Sequence, residues 1–113
     1  MNPDDVARAY FARMRAGERV DELFADDAEI KGFGRRTRGK AAIAEIYRDV
    51  QEASTPQPEL VAITSAGNRV FGEVRVALAD GAFLHVVDVF EVDDDRITSL
   101  TYFNADYPAA SED

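Results

Sequence analysis

From Ala82 to Asn104 the chain reads AFLHVVDVFEVDDDRITSLTYFN, two strand-length runs on either side of an acidic turn, Asp93-Asp94-Asp95. Runs patterned this way fold back on each other as a hairpin. One aspartate, Asp88, stands in the middle of the first run among valines and a phenylalanine. An ionised carboxylate is costly in an apolar layer unless it is paired, hydrogen-bonded or neutralised. Two readings follow: a carboxyl group inside a lined cavity, or a charge on a wetted sheet face. The choice between them decides what the protein can do.

Upstream of the hairpin the pattern is helical before it is extended. Asn2 can cap a helix that has Pro3 at its first position, with Asp4 and Asp5 near the positive end of the dipole. Val6, Tyr10 and Met14 recur every four residues with Ala7 and Phe11 beside them. That stripe turns Tyr10 inward, where its hydroxyl needs a partner, and Gly17 is the stop. Val20, Leu23 and Phe24 predict a short second helix closed by the turn residues Ala25-Asp26-Asp27. From Ala28 alternation predicts a half-buried strand with Ile30 inward, which Gly32 and Gly34 allow to bend. A third helix follows Gly39, with Ile43, Ile46, Tyr47 and Val50 as its buried stripe, and Pro56 and Pro58 end it. Strands are expected over 59–65, 69–78, 82–92 and 96–104, joined by turns short enough to make neighbours antiparallel. Helices first and strands last is an α+β pattern: a curved, mainly antiparallel sheet wrapped around three helices of the N-terminal half, in a single domain of residues 1–113. The tail from Asp106 is polar and small and is expected to fray.

Taking Asp80-Gly81 as a two-residue turn sets Arg75 opposite Val86 and Glu73 opposite Asp88. One face then carries Glu73, Arg75, Ala77, Leu84, Val86, Asp88 and Phe90; the other carries Val74, Val76, Leu78, Phe83, His85, Val87 and Val89. The second face is bulkier and, taken alone, reads as core, which would leave Asp88 in water. Alternatively both faces are covered, one lining a cavity and the other packed on a second subunit, because large apolar faces are rarely left open. A slip of one residue would swap every assignment. His85 faces away from Asp88 and reads as a packing residue. Arg75 shares the Asp88 face, where it could bind a carboxylate or an enolate, or hold Asp88 ionised as a general base.

The chain has no cysteine and a single histidine, so disulfides and thiolate chemistry are excluded and an all-protein zinc site lacks ligands. No metal and no cofactor is expected. A net charge of −9 argues against nucleic acid as a partner. Arg35-Arg36-Thr37-Arg38-Gly39-Lys40 is the local exception; it reads first as a solvated loop, with a small anionic ligand or a partner contact as the other reading. No apolar run is long enough to span a membrane and the polar start is unlike a signal peptide, so a cytoplasmic protein without membrane contact is expected.

Four stretches in order carry a resemblance. They are Ala9-Tyr10-Phe11 with Ala16-Gly17-Glu18, then Leu23-Phe24-Ala25-Asp26-Asp27-Ala28, then Gly39-Lys40-Ala41-Ala42-Ile43, and finally Val87-Asp88-Val89-Phe90 leading to Arg96-Ile97. With their spacing, the whole chain resembles the nuclear transport factor 2-like superfamily, in the branch of the ketosteroid isomerases and the SnoaL-like polyketide cyclases. The resemblance implies a cone-shaped sheet enclosing a pocket closed by helices, often in a dimer. It implies that Tyr10 matches the tyrosine that donates to a developing oxyanion and that Asp88 matches the neutral aspartic acid that donates beside it. Tyr47 matches a tyrosine that supports the first. Phe24, Ile30, Ile46, Arg75, Val86, Phe90, Leu100, Tyr102 and Asn104 would complete a ligand site. Where the isomerases carry their catalytic base, this chain has Gly32, which cannot move a proton. The epoxide-hydrolase branch uses an Arg-x-Asp that here reads Arg75-Val76-Ala77, and the cyclase branch places an aspartate where this chain has Asn104. Each catalytic set is incomplete.

Three function classes remain open: an isomerase, cyclase or lyase working by cofactor-free acid–base chemistry through Tyr10 and Asp88, a binder of a small apolar or carbonyl-containing ligand, and a dimeric interaction domain with a filled pocket. Fold analogy does not choose among them.

Overall fold

The computed structural model describes residues 1–105, so the tail from Asp106 lies outside the described residues. Helix α1 spans Pro3–Ala16. The Asn2 side chain accepts from the Asp5 N–H at 2.9 Å, and Gly17 closes the other end with its N–H directed to the Arg13 and Met14 carbonyls. Val6, Ala7, Tyr10, Phe11 and Met14 are its buried stripe. Helix α2 spans Lys40–Ser54 and buries Ile43 and Tyr47.

Among the described residues six strands follow the order β2-β1-β6-β5-β4-β3: β1 Phe24–Gly32, β2 Arg35–Arg38, β3 Gln57–Ala66, β4 Arg69–Ala77, β5 Phe83–Asp93 and β6 Arg96–Asn104. Among the described residues only the β1–β6 pair is parallel; the other pairs are antiparallel. The sheet is curved and unclosed, with α1 packed on β3, β4 and β5 and α2 on β1 and β2. The core fills the concave side, where Phe24, Ile43, Val70, Phe90, Ile97 and Leu100 are fully buried. No helix among the described residues is long and apolar enough to cross a membrane.

Besides Arg35–Arg38, expected in a solvated loop but found as strand β2, and Val50, expected buried on α2 but exposed, the structure departs from the sequence expectations at three places. The expected second helix is one 3-10 turn, Asp21–Leu23, and Phe24 already belongs to β1. Asp26 and Asp27 are exposed strand residues at an irregularity in the β1–β6 pairing rather than a turn. The third departure has the largest consequence. The loop between β4 and β5 has three residues, Ala79-Asp80-Gly81: the Leu78 N–H bonds the Ala82 carbonyl at 2.9 Å and the Gly81 N–H bonds the Leu78 carbonyl at 3.0 Å. This is a type I turn followed by a left-handed residue, and Gly81 supplies the positive φ of 88° that the geometry requires. The extra residue moves the register by one. Gly72 pairs with Asp88, Val74 with Val86 and Arg75 with His85.

The face swap that follows is complete on β4. Val70, Gly72, Val74 and Val76 join Leu84, Val86, Asp88 and Phe90 on the concave side. Glu73 and Arg75 go with Phe83, His85 and Val87 to the convex side, where His85 Nε2 lies 2.7 Å from Glu73 Oε2. The bulkier face of β5 is therefore the outer one, and Asp88 points toward the helices.

Candidate functional site

Between the concave face and the two helices lies a cavity of about 360 Å³, within the range that takes a small organic molecule. Its walls are almost entirely apolar: Phe11 and Met14 from α1, Ile46 and Val50 from α2, Ile30 from β1, and Val74, Val76, Leu84 and Val86 from the central strands. Four oxygen-bearing side chains, Tyr10, Tyr47, Asp88 and Tyr102, converge on its inner wall.

The tyrosines form a chain. Tyr10 and Tyr47 share a hydrogen bond at 2.9 Å between hydroxyls, and Tyr47 shares a second with Tyr102. Position explains each one: Tyr10 lies mid-stripe on α1, Tyr47 falls one turn after Ile43 on α2, and Tyr102 pairs with Asp88 across β5 and β6. Burial pushes all three hydroxyls above the usual phenol range. They stay neutral and keep three protons. Two are used inside the chain, which leaves one O–H to donate outward.

Asp88 is 3% exposed, and its Oδ1 is buried with no hydrogen-bond partner. Burial alone pushes its carboxyl up to about 8, because no cation offsets the desolvation. At neutral pH it carries its proton and is a donor. The other buried carboxyl, Asp21, shows the contrast: Arg19 donates to it at 2.6 and 3.1 Å and holds it below the usual carboxylate range. Asp21 is a satisfied structural ion pair. Asp88 is a polar group left open in an apolar room.

The expected site residues divide into three groups. Tyr10, Ile30, Ile46, Tyr47, Val86, Asp88 and Tyr102 line the cavity. Phe24, Phe90 and Leu100 have the inward parity but sit deeper, fully buried in the core behind the lining. Tyr10 packs edge-on against both phenylalanine rings. Arg75 and Asn104 are not in the cavity: the register puts Arg75 on the exposed convex face, and Asn104 is exposed at the end of β6. With Arg75 outside, nothing in the cavity holds Asp88 ionised.

Sequence reasoning missed the mouth. Phe33 and Gly34 form a two-residue turn between β1 and β2 with φ of 52° and 76°, the type I′ geometry of tight hairpins. That turn puts Phe33, Arg35 and Thr37 at the cavity rim. A phenylalanine in the left-handed region costs about 1 kcal/mol, yet Phe33 stays 57% exposed while stacking on Tyr102 at 6.0 Å between ring centroids. The alternation of Arg35 and Thr37 after a glycine-flanked Phe33 was the available signal.

Gly32 explains the missing base. A Cβ there would lie 2.7 Å from the Tyr102 Cβ and 2.9 Å from its ring, and Gly32 has φ of 153°. Tyr102 fills the space that a longer side chain at position 32 would need. Among the described residues no group of three or more metal-ligating side chains occurs.

Residues 7–100 match the model of the SnoaL-like domain. Among solved structures, a candidate polyketide cyclase from Sinorhizobium meliloti is 24% identical with a TM-score of 0.81, over 88% of this chain and 94% of the other. An LEH-like epoxide hydrolase of M. tuberculosis is 27% identical with a TM-score of 0.81, over 90% and 81%. A candidate ketosteroid isomerase from Kribbella flavida is 22% identical with a TM-score of 0.83, over 95% and 80%. No curated protein sequence matches the chain.

Proposed function

This chain belongs to the SnoaL-like domain family, and on that premise we propose that its cavity takes up a small, mainly apolar molecule bearing a carbonyl or phenol oxygen, held by hydrogen bonds donated from Asp88 and the tyrosine chain. The observation that carries the reading is the Asp88 Oδ1, buried without a hydrogen-bond partner on the wall of an apolar cavity. A buried donor with nothing to donate to is costly, and a ligand acceptor offsets that cost. Two donors on one oxygen also favour the enolate form of a carbonyl, the first half of an isomerase or cyclase reaction.

The second half needs a group that takes a proton from carbon, and Tyr102 closes position 32 to it. Binding with carbonyl polarisation is therefore the primary reading. A catalytic reading is favoured by the burial of Asp88, which pushes its carboxyl up to about 8, where it could itself pass a proton. Exchange of a bound ketone's α-hydrogens in heavy water separates the two. The open cavity argues against an interaction domain with a filled pocket. The chain is further proposed to pair with a second copy through its convex sheet face.

Titration of a fluorescent equilenin-like phenol tests the primary reading. Asp88→Asn keeps an N–H donor and should weaken binding less than Asp88→Leu, by roughly tenfold between the two variants. Equal affinities would remove the donor role of Asp88.

A further inference from the structure

The ligand's other end can be read from the cavity mouth, on the premise that the inner end binds an oxygen as proposed above. Asp88 pairs with Tyr102, the Tyr102 side chain lies against Gly32, and Gly32 pairs with Arg35. These residues make one row across four neighbouring strands, β5, β6, β1 and β2, and all four line the cavity. Three inter-strand steps put the two ends of the row roughly 14 Å apart at the backbone. Side chains reaching inward leave a gap that a two-ring molecule spans.

The two ends differ in kind. Asp88 is buried and neutral, whereas Arg35 is exposed at the rim and is the only cation among the described lining residues. Its neighbour Arg36 is paired with Glu29 on the other side of β2, but Arg35 has no ion pair among the described residues. Between the ends, Phe33 leans on Tyr102 and offers a flat apolar wall. In a chain with a net charge of −9, a guanidinium over an apolar cavity that has no ion pair among the described residues suits an anion brought there by the rest of its ligand.

We propose that the site selects amphipathic carboxylates: molecules with a carbonyl or hydroxyl oxygen at the buried end, an apolar middle, and a carboxylate at the far end held by Arg35. Arg35 is then a specificity-determining residue, reading the end of the ligand that takes no part in the chemistry.

The test compares naphthol with a hydroxynaphthoic acid that carries its carboxylate on the ring edge opposite the hydroxyl, both by fluorescence at neutral pH and low salt. The carboxylated probe should bind roughly fivefold tighter to the wild type. Arg35→Gln should bring that ratio to about one and Arg35→Glu should invert it. Arg38→Gln, which alternation places on the opposite face of β2, should leave the ratio in place. A wild-type ratio of one, or a preference that survives Arg35→Gln, overturns the inference while the inner-end reading stands. If neither probe binds, both fall together.

Discussion

Asp21 and Asp88 are the same residue type and both are little exposed, but Asp21 lies shallow beside Arg19 whereas Asp88 is deeply desolvated. Arg19 keeps Asp21 ionised, whereas Asp88 has only apolar surroundings and neutral phenols and keeps its proton. A proton held in the folded state links stability to pH. The unfolded carboxyl titrates near ~3.9, while the folded one is pushed up to about 8. The folded state therefore binds more protons across that window, so Asp88's contribution is fully present below pH ~4 and is lost as pH rises toward 8. Asp88→Asn abolishes this dependence. Urea unfolding of both proteins should show the variant gaining on the wild type by about 1.4 kcal/mol per pH unit between pH 5 and 7. A difference that does not change with pH would mean Asp88 ionises normally in the fold.

At the scale of the element, β3 to β6 and the second half of β1 were legible, whereas β2, read as a loop, and the joint between β4 and β5 were not. Alternation within β5 put Asp88, Val86 and Leu84 on one face, and they are together. Parity on β4 depended on the loop, and an Asp-Gly pair suits a two-residue turn as well as the last two residues of a three-residue one. One residue of loop length carried Arg75 out of the site and Val74 and Val76 into it. Depth was equally hidden: parity marks Phe90 and Leu100 as inward, but only the seating of α1 and α2 separates lining from core. The β1–β2 hairpin gives a prediction at this scale. Gly32→Ala places a methyl against Tyr102 at a φ unfavourable for alanine, and should lower stability by roughly 1–3 kcal/mol in urea unfolding. A neutral substitution would show that the hairpin yields easily, leaving position 32 open to a base after all.

For the whole molecule, the outline α+β architecture was readable because it rests on long, regular patterns, whereas the meeting of Tyr10, Tyr47, Tyr102 and Asp88 was implied only by the family resemblance, the facial pattern alone leaving Asp88 in water. The convex face follows from the same layering. Phe103 opposes Val87 there and is 54% exposed, and Phe83 is 73% exposed. Such a surface fits pairing with a second copy. Sedimentation equilibrium should give a dimer for the wild type and a monomer for Phe103→Asp. A monomeric wild type would leave the outer face without this role.

Every functional step above depends on a proton resting on Asp88 at neutral pH. Infrared difference spectroscopy across a pH titration, with Asp88→Asn as the blank, reads that proton directly. A carboxylic-acid carbonyl band that persists at pH 7, fades around pH 8 and is missing from the variant is the expected result. A band that disappears near pH 4 would mean a carboxylate faces the cavity, and the donor site would not exist.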